Sequence, residues 1–450
     1  MTPPMRTATI LKQVYRFDVR SYVEQVRADG RAGLGAEERR RMAELYEDLT
    51  GLRERLDELT APERAIARFA EIFFHAEWKL AVPSETPDQL VTRGGTPLDR
   101  RGKRYQPYAN IRLLNDVLGT RRHAADRTVE RRARQVVHRI LTTWADFEEQ
   151  TVSGRVIWAG HDVPAADVLA ERIERLRRLG HRAAGVMPGL PPAGSQPPCD
   201  FECYLPPHGD GNTIEYLTAL PQTTLHDEVT FLRTIHIVEA TTWAILARVM
   251  AAAEWLRTRH WAFGERCLRR AADLAALQAE TLVAMRRTLS VDRFLAFREA
   301  TGDASAVQSL PAQLLLIHLF GIHPEKTEAL AEATENNYLL LYLNPGFLPL
   351  RSLLQEAARA GDAGRTVLDA AHSLDTELFK WRRVHYGAAV RYLPPTGGGS
   401  GGTTGAPYLR GFYRDRLFDD DRVLLPQPPP SPPQHLDPSV RARPAFSAAN

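Results

Sequence analysis

The sequence predicts an all-α protein, and two observations lead to that fold class. Apolar residues recur at helical spacing in nearly every readable segment of the chain. No run of alternating apolar and polar residues is long enough to predict a strand. With 450 residues, the chain can bury a sizeable core and has room for two or three domains.

The first predicted helices follow from leucine spacing and from a capping signal. One apolar stripe, whose intervals alternate between four and three residues, comprises Leu45, Leu49, Leu52, Leu56 and Leu59. A second helix is predicted to begin after Thr60, because Pro62 suits the first turn and Glu63 completes a capping box.

The next predicted helix has an apolar stripe and an arginine-rich face. The stripe comprises Val129, Val136, Val137, Ile140, Leu141 and Trp144, and the other face carries Arg131, Arg132, Arg134 and Arg139. Such a face could bind an anion or a neighbouring subunit, although nearby acidic residues favour a solvated face. A further helix is indicated by Leu169, Ile173 and Leu176, and Gly180 is predicted to end it.

The composition changes sharply within residues 185–213. The prolines and glycines of this segment cannot sustain a helix, so we expect a linker or a long crossing loop. We therefore predict an N-terminal helical domain of unknown role at 1–184 and a second helical domain at 214–425. Residues 426–450 contain P-Q-P-P-P-S-P-P and are expected to form a disordered tail.

Charge and composition exclude several classes of protein. With 58 basic and 55 acidic side chains, the net charge of +3 gives no reason to expect nucleic acid as a partner. The longest strongly apolar run, near Leu314–Ile322, falls short of the ~18–20 residues of a membrane span. The N-terminal residues carry no secretory signal pattern, so we expect no membrane partner.

The three cysteines do not form a disulfide framework, so a reducing, cytoplasmic setting is expected. Cys199 and Cys203 lie close to His208 in the sequence, but a zinc site would need a fourth ligand and usually a tighter C-x-x-C spacing. Covalent haem attachment is not expected either, since the chain has no C-x-x-C-H.

One histidine, His385, lies on a predicted helix just before a glycine-rich loop. A lone helical histidine is usually a satisfied core or surface residue. Here residues 381–385 read W-R-R-V-H and are followed by Arg391, the run G-S-G-G at 399–402 and Y-L-R at 408–410. This combination resembles the C-terminal signature of the tryptophan 2,3-dioxygenase family, which uses haem.

Two further blocks resemble the same family and occur in family order. Residues 225–228 read L-H-D-E and, with Phe231 and Glu239, are similar to the helix on the distal side of the haem. Residues 297–299 read F-R-E and residues 304–309 read A-S-A-V-Q-S, similar to the family's substrate-loop motif F-R-x(5)-A-S-G-F-Q-S.

The resemblance covers roughly residues 211–418 and implies a helical bundle like that of the haem dioxygenases, with haem b as cofactor. In the family, the histidine of W-R-x-x-H is the proximal iron ligand, so His385 is implied as the axial ligand, and imidazole suits iron. Trp381 is implied as a cofactor contact. Arg391 is the right kind of residue for a haem propionate, although a surface salt bridge would explain it equally well.

The same resemblance implies the substrate-binding residues. Arg298 matches the arginine that holds the substrate carboxylate, a contact worth roughly 1.5–3 kcal/mol. Ser400 and Gly401 lie in the glycine-rich loop, which alone would read as a flexible linker but here is expected to close over the ligand. Tyr216 and Phe231 resemble aromatic residues of the pocket wall, although either could be plain core packing.

Two positions depart from the family pattern. An ungapped alignment puts Ile235 where the family has a histidine that contacts the indole N–H, and His236 follows one residue later. One residue turns a helix by ~100°, so His236, our distal-side catalytic candidate, would need a local bulge to point into the pocket. Ala306 replaces the glycine of A-S-G and could stiffen or narrow the loop.

Three hypotheses remain from the sequence. The first is a haem dioxygenase that acts on the indole ring of tryptophan or a substituted tryptophan. The second is a haem-dependent aromatic hydroxylase or oxygenase acting on a modified tryptophan or tyrosine, with O₂ or peroxide as the oxidant. The third is a non-catalytic haem-binding protein. The resemblance also implies a homo-oligomer, either a dimer or a tetramer.

Overall fold

The computed structural model describes residues 7–52, 59–81, 105–120, 127–155, 162–185, 218–302, 304, 309–321, 346–393, 405–412, 415–419 and 421–425. The structure is about 82% helical and has no strands among these residues, which confirms the predicted all-α class. An isolated antiparallel bridge joins Phe418 to Leu424 near the end of the described chain.

Helices account for most of the described residues. In chain order they are α1 (Thr7–Arg16), α2 (Val19–Asp29), α3 (Ala36–Leu52), α4 (Ala61–Ala81), α5 (Tyr105–Tyr108), α6 (Ile111–Leu118), α7 (Arg127–Val152), α8 (Ala166–Gly185), α9 (His226–Arg257), α10 (Trp261–Thr288), α11 (Val291–Thr301), α12 (Leu310–Phe320), α13 (Leu350–Arg359), α14 (Asp362–Tyr392) and α15 (Ala406–Phe412).

The helix start predicted at Thr60 is confirmed. The Thr60 backbone N–H donates to Glu63 Oε2 at 2.8 Å, and the Glu63 N–H donates back to Thr60 Oγ1 at 3.4 Å. This reciprocal pair satisfies two backbone donors that a helix N-terminus would otherwise leave without partners.

The helix end predicted at Gly180 is wrong, because α8 continues to Gly185. Gly180 lies where α8 packs against α7, and a Cβ built at this position would stand 3.9 Å from the Leu141 Cβ. The carbonyl oxygen of Gly180 also lies 3.1 Å from His138 Nδ1 on α7. Packing between the two helices thus outweighs the weak helix propensity of glycine.

Apolar side chains form two main cores. The larger is built around α9, which packs against α7, α10 and α12, while α14 covers α10. The smaller core holds α1 to α4 together and includes Leu113 and Leu220. The larger core also contains a cavity, which several of these helices line.

The domain boundary predicted at 184/185 does not coincide with a break between the cores. Helices α5 to α8 contribute to the same core as α9, α10 and α14, so the core continues across that boundary. The apolar stripes of α7 and α8 face later helices, a partnership that local patterning does not reveal. Apart from Gly185, the predicted linker and the predicted tail lie outside the described residues, as do Cys199, Cys203 and His208.

A buried arginine ties α8 to three other helices. Arg172 donates to Glu148 on α7 at 2.9 Å, to Asp227 on α9 at 2.7 Å and to the Thr288 carbonyl at the end of α10 at 2.8 Å. Burial raises the pKa of Glu148, but Arg172 and then His226 outweigh it and bring this pKa to about 2. We refer to Arg172, Glu148 and Asp227 as the buried ion cluster.

Helix α9 is long and apolar enough to span a membrane, judged by length and composition among the described residues. Its most apolar window has a mean hydropathy of 1.3, and 72% of that window is buried inside the protein. That degree of burial is also found for the central helix of a globular core, which is the place that α9 has here.

Candidate functional site

A cavity of about 310 Å³ lies among the helices of the larger core. Its walls come from α9, α10, α11, α12, α14 and α15, and the two tyrosines of α5 complete it. Aliphatic and aromatic side chains make up most of the lining, and a few polar groups converge on it. A concave apolar site with few polar groups is the usual form of a small-molecule pocket.

One face of α9 forms a wall of the cavity. The residues of α9 that line it are Phe231, Thr234, Ile235, Val238, Glu239 and Thr242. Each lies three or four residues from another of the set, so they share one side of the helix. Three of them are apolar, and Glu239 is 1% exposed.

His385 lies on the opposite wall, on α14, and lines the cavity together with Ala388 and Ala389. Burial lowers the pKa of His385 to about 4, so the imidazole is neutral at pH 7. Its ring stands 5.5 Å from that of Trp381, one helical turn earlier. Within the described part of the chain, neither ring nitrogen makes a hydrogen bond, so the neutral imidazole can act as a ligand or a base.

Phe231 belongs to an aromatic cluster at one end of the cavity. Its ring lies 5.6 Å from both Phe294 and Phe297 on α11, and Phe294 lies 4.8 Å from Tyr392 on α14. Arg298, on α11, also lines the cavity. The side chains predicted to contact an aromatic ring and a carboxylate therefore line the same cavity.

His236 lies away from the cavity. Its Nε2 is 2.7 Å from the Ala109 carbonyl, and burial, followed by the charge of Arg233, lowers the pKa of His236 to about 3. Ile235 lines the cavity instead. Helix α9 runs regularly through these residues, so no bulge re-aims His236. The side chain of His236, our distal-side catalytic candidate, therefore does not face the cavity.

The remaining predicted site residues divide into three groups. Trp381 lines the cavity, and its buried Nε1–H has no hydrogen-bond acceptor among the described residues. Arg391 is exposed outside the cavity, where it donates to the Arg286 carbonyl at 2.8 Å. Tyr216, Ser400 and Gly401 lie outside the described residues, as does Ala306.

The structure adds a polar pair whose role the sequence did not indicate. The Tyr105 hydroxyl on α5 donates to Glu239 Oε1 at 2.5 Å. Burial raises the pKa of Glu239 to about 7, although the hydroxyls of Ser309 and Tyr105 act to lower it. The spacing of Glu239 from Phe231 and Ile235 was a signal for its place on this face, but nothing near Tyr105 indicates a partner 134 residues away.

These groups allow a defined set of interactions. His385 offers a neutral nitrogen, Arg298 offers a cation, and Glu239 offers a carboxyl group that titrates near neutrality. The described residues contain no cluster of three or more histidine, cysteine, aspartate or glutamate side chains that could hold a metal ion on its own.

Comparison with known proteins adds no family assignment. No protein-family profile matches the chain, and no curated protein matches it.

Proposed function

We propose that this chain is a haem-dependent oxygenase that acts as a dioxygenase on the indole ring of tryptophan or a substituted tryptophan. One observation carries the proposal. His385, Arg298 and Phe231 come from the three separate blocks that resemble the tryptophan 2,3-dioxygenase family, and all three line the same cavity.

The residues present fit a haem. Haem requires an apolar slot and a neutral axial nitrogen, and His385 is neutral, free of hydrogen bonds from described residues and set beside the small side chains of Ala388 and Ala389. When bound, haem b would activate the oxidant that attacks the ring. His385 would hold the iron, and Trp381 would contact the cofactor.

The protein side chains would bind and orient the substrate. Arg298 would pair with the α-carboxylate, since a guanidinium matches a carboxylate in forked geometry. Phe231, with Phe294 behind it, would pack against the ring. The apolar lining would exclude water from the reacting ring, which strengthens the polar contacts within the site.

A second candidate is a haem-dependent hydroxylase or oxygenase that acts on a modified tryptophan or tyrosine. Ile235 favours it, because an aliphatic side chain lines the wall where the family has a histidine. A positioned base typically contributes 10²–10⁴-fold where proton transfer matters, so its replacement suits a different reaction. For both candidates we propose a cytoplasmic homo-oligomer, a dimer or a tetramer, with O₂ or peroxide as the oxidant.

The test combines haem content with product mass. The protein would be expressed with a haem precursor, purified, reduced and incubated with tryptophan and ¹⁸O₂. We expect a haem absorption band and a product that has gained two labelled oxygen atoms. A gain of one oxygen atom, or turnover of tyrosine derivatives alone, would favour the second candidate. Haem without turnover of either substrate would indicate a non-catalytic haem protein, and absence of haem would overturn the proposal.

A further inference from the structure

Two tyrosine–glutamate pairs join α5 to α9, and they differ in how completely the carboxyl group is satisfied. Tyr108 donates to Glu228 Oε1 at 3.1 Å, and Tyr105 donates to Glu239 Oε1 at 2.5 Å. Both glutamates are buried, with Glu228 0% and Glu239 1% exposed. The two pairs therefore allow a comparison between two buried glutamates of one helix, each of which accepts a hydrogen bond from a tyrosine.

Glu228 has hydrogen bonds to both of its oxygens. The backbone N–H of Gln222 donates to Oε1 at 2.8 Å, while the backbone N–H and the hydroxyl of Thr223 donate to Oε2 at 2.8 and 2.6 Å. Glu228 does not line the cavity. These contacts account for the burial of Glu228, because they hold the chain that leads into α9.

Glu239 lines the cavity, and its Oε2 has no hydrogen-bond partner of acceptable geometry among the described residues. A buried polar atom without a partner is destabilising, and more so when it is charged. Ile235 and Val238, on the same face of α9, have no donor, and the Ser309 hydroxyl, which acts to lower the pKa of Glu239, makes no hydrogen bond of acceptable geometry to Oε2. A bound ligand in the cavity could supply one.

We propose that Glu239 accepts, through Oε2, a hydrogen bond from a ring N–H of the bound aromatic ligand, and thereby selects nitrogen heterocycles. The inference rests on the proposed aromatic substrate and names the residue that would recognise its ring N–H. Glu239 lies one turn, ~6 Å, along α9 from Ile235, on the same face. Glu239, itself part of the family resemblance, thus stands one turn from the position where the family has its histidine.

The charges around Glu239 agree with this role. Burial holds the pKa of Glu239 at about 7, so a ligand N–H that favours the carboxylate would displace a proton near neutral pH. The other ionisable groups that line the same cavity are Tyr105, Tyr108, Arg298, Arg382, His385, Tyr392 and Tyr408. Burial keeps His385 neutral and raises the pKa values of Tyr105 and Tyr108 well above their ordinary value, so none of these three should exchange a proton near pH 7.

The experiment is calorimetric titration of the haem-loaded protein with L-tryptophan, 1-methyl-L-tryptophan and the benzothiophene analogue of tryptophan. The wild type should bind tryptophan at least ~10-fold more tightly than either ring analogue, the size of a hydrogen bond to a charged group. Glu239→Leu should bind all three within ~3-fold, and Glu239→Gln should fall between them. Glu228→Gln is the matched control and should keep the wild-type preference.

A second measurement needs no variant. Titration in buffers of different ionisation enthalpy should show proton release near pH 7 with tryptophan and not with the two analogues. Full ring discrimination in a folded Glu239→Leu, or equal proton exchange with all three ligands, would overturn the inference while leaving the proposed function standing. Failure of all three to bind would overturn the inference and the proposed substrate class together, and the haem band of the same sample would test the cofactor separately.

Discussion

The buried ion cluster and the cavity both contain buried polar groups. The two regions differ in what those polar groups contact. In the cluster, all three guanidinium nitrogens of Arg172 donate to protein acceptors on neighbouring helices. In the cavity, Glu239 Oε2 and Trp381 Nε1 have no partner of acceptable geometry among the described residues, and His385 makes no hydrogen bond to any of those residues. Buried polar groups satisfied by protein hold the fold, whereas those left open on a cavity wall are available to a ligand.

Replacing Arg172 tests most directly whether the buried ion cluster stabilises the fold. Arg172→Met removes the fully buried cation that contacts both Glu148 and Asp227, so we expect a loss of about 3–5 kcal/mol in the free energy of unfolding. Chemical denaturation measures this loss. A change below about 1 kcal/mol would show that the cluster does not hold the helices together.

The pH dependence of stability tests whether burial raises the pKa of Glu239. Its folded pKa, about 7, lies above the unfolded value, so its contribution to stability is present at low pH and is lost as pH rises through 7. Glu239→Gln should remove this decline, which amounts to roughly 3 kcal/mol between pH 4 and 8. Denaturation midpoints of both proteins across this range would measure it, and parallel pH profiles would contradict the assignment.

Replacing Arg298 tests whether the cavity binds the substrate carboxylate. Arg298→Ala should weaken tryptophan binding by about 1.5–3 kcal/mol and leave haem content unchanged. Tryptamine lacks the carboxylate, so its affinity should be nearly the same in the variant and the wild type. Equal losses for tryptophan and tryptamine, or loss of haem, would mean that Arg298 is a structural residue.

Replacing Tyr105 should have the smallest effect on stability. Tyr105→Phe removes one hydrogen bond to Glu239 Oε1 and should cost about 1 kcal/mol of stability. It should also raise the pKa of Glu239 further, because this hydroxyl acts to lower it. Infrared titration of the protonated carboxyl group would follow the shift, and an unchanged titration would show that the bond is not formed in solution.

Local patterns in the sequence predicted the parts of the fold that short segments determine. The helical class and the capping box at Thr60 needed only neighbouring residues, and both are confirmed. The end predicted at Gly180 failed because packing against Leu141, on another helix, decides the length of α8. The core shared by residues on both sides of 184/185 was not predicted for the same reason.

The site was predictable where spacing on one helix suffices. The register of α9 already set His236 off the face shared by Phe231 and Ile235. The contribution of Tyr105 could not be inferred, because its bond to Glu239 spans 134 residues and depends on how the helices pack. The pKa of Glu239 depends on that packing too, since burial alone raises it.

The most direct test of haem ligation is the absorption spectrum of His385→Gly, with and without added imidazole. His372→Ala is the matched control, since His372 is a half-buried histidine on the same helix outside the cavity. We expect the wild type and the control to carry a haem band, the glycine variant to lose or shift it, and imidazole to restore it. An unchanged band in His385→Gly, or absence of haem from the wild type, would contradict the assignment of His385 as the axial ligand.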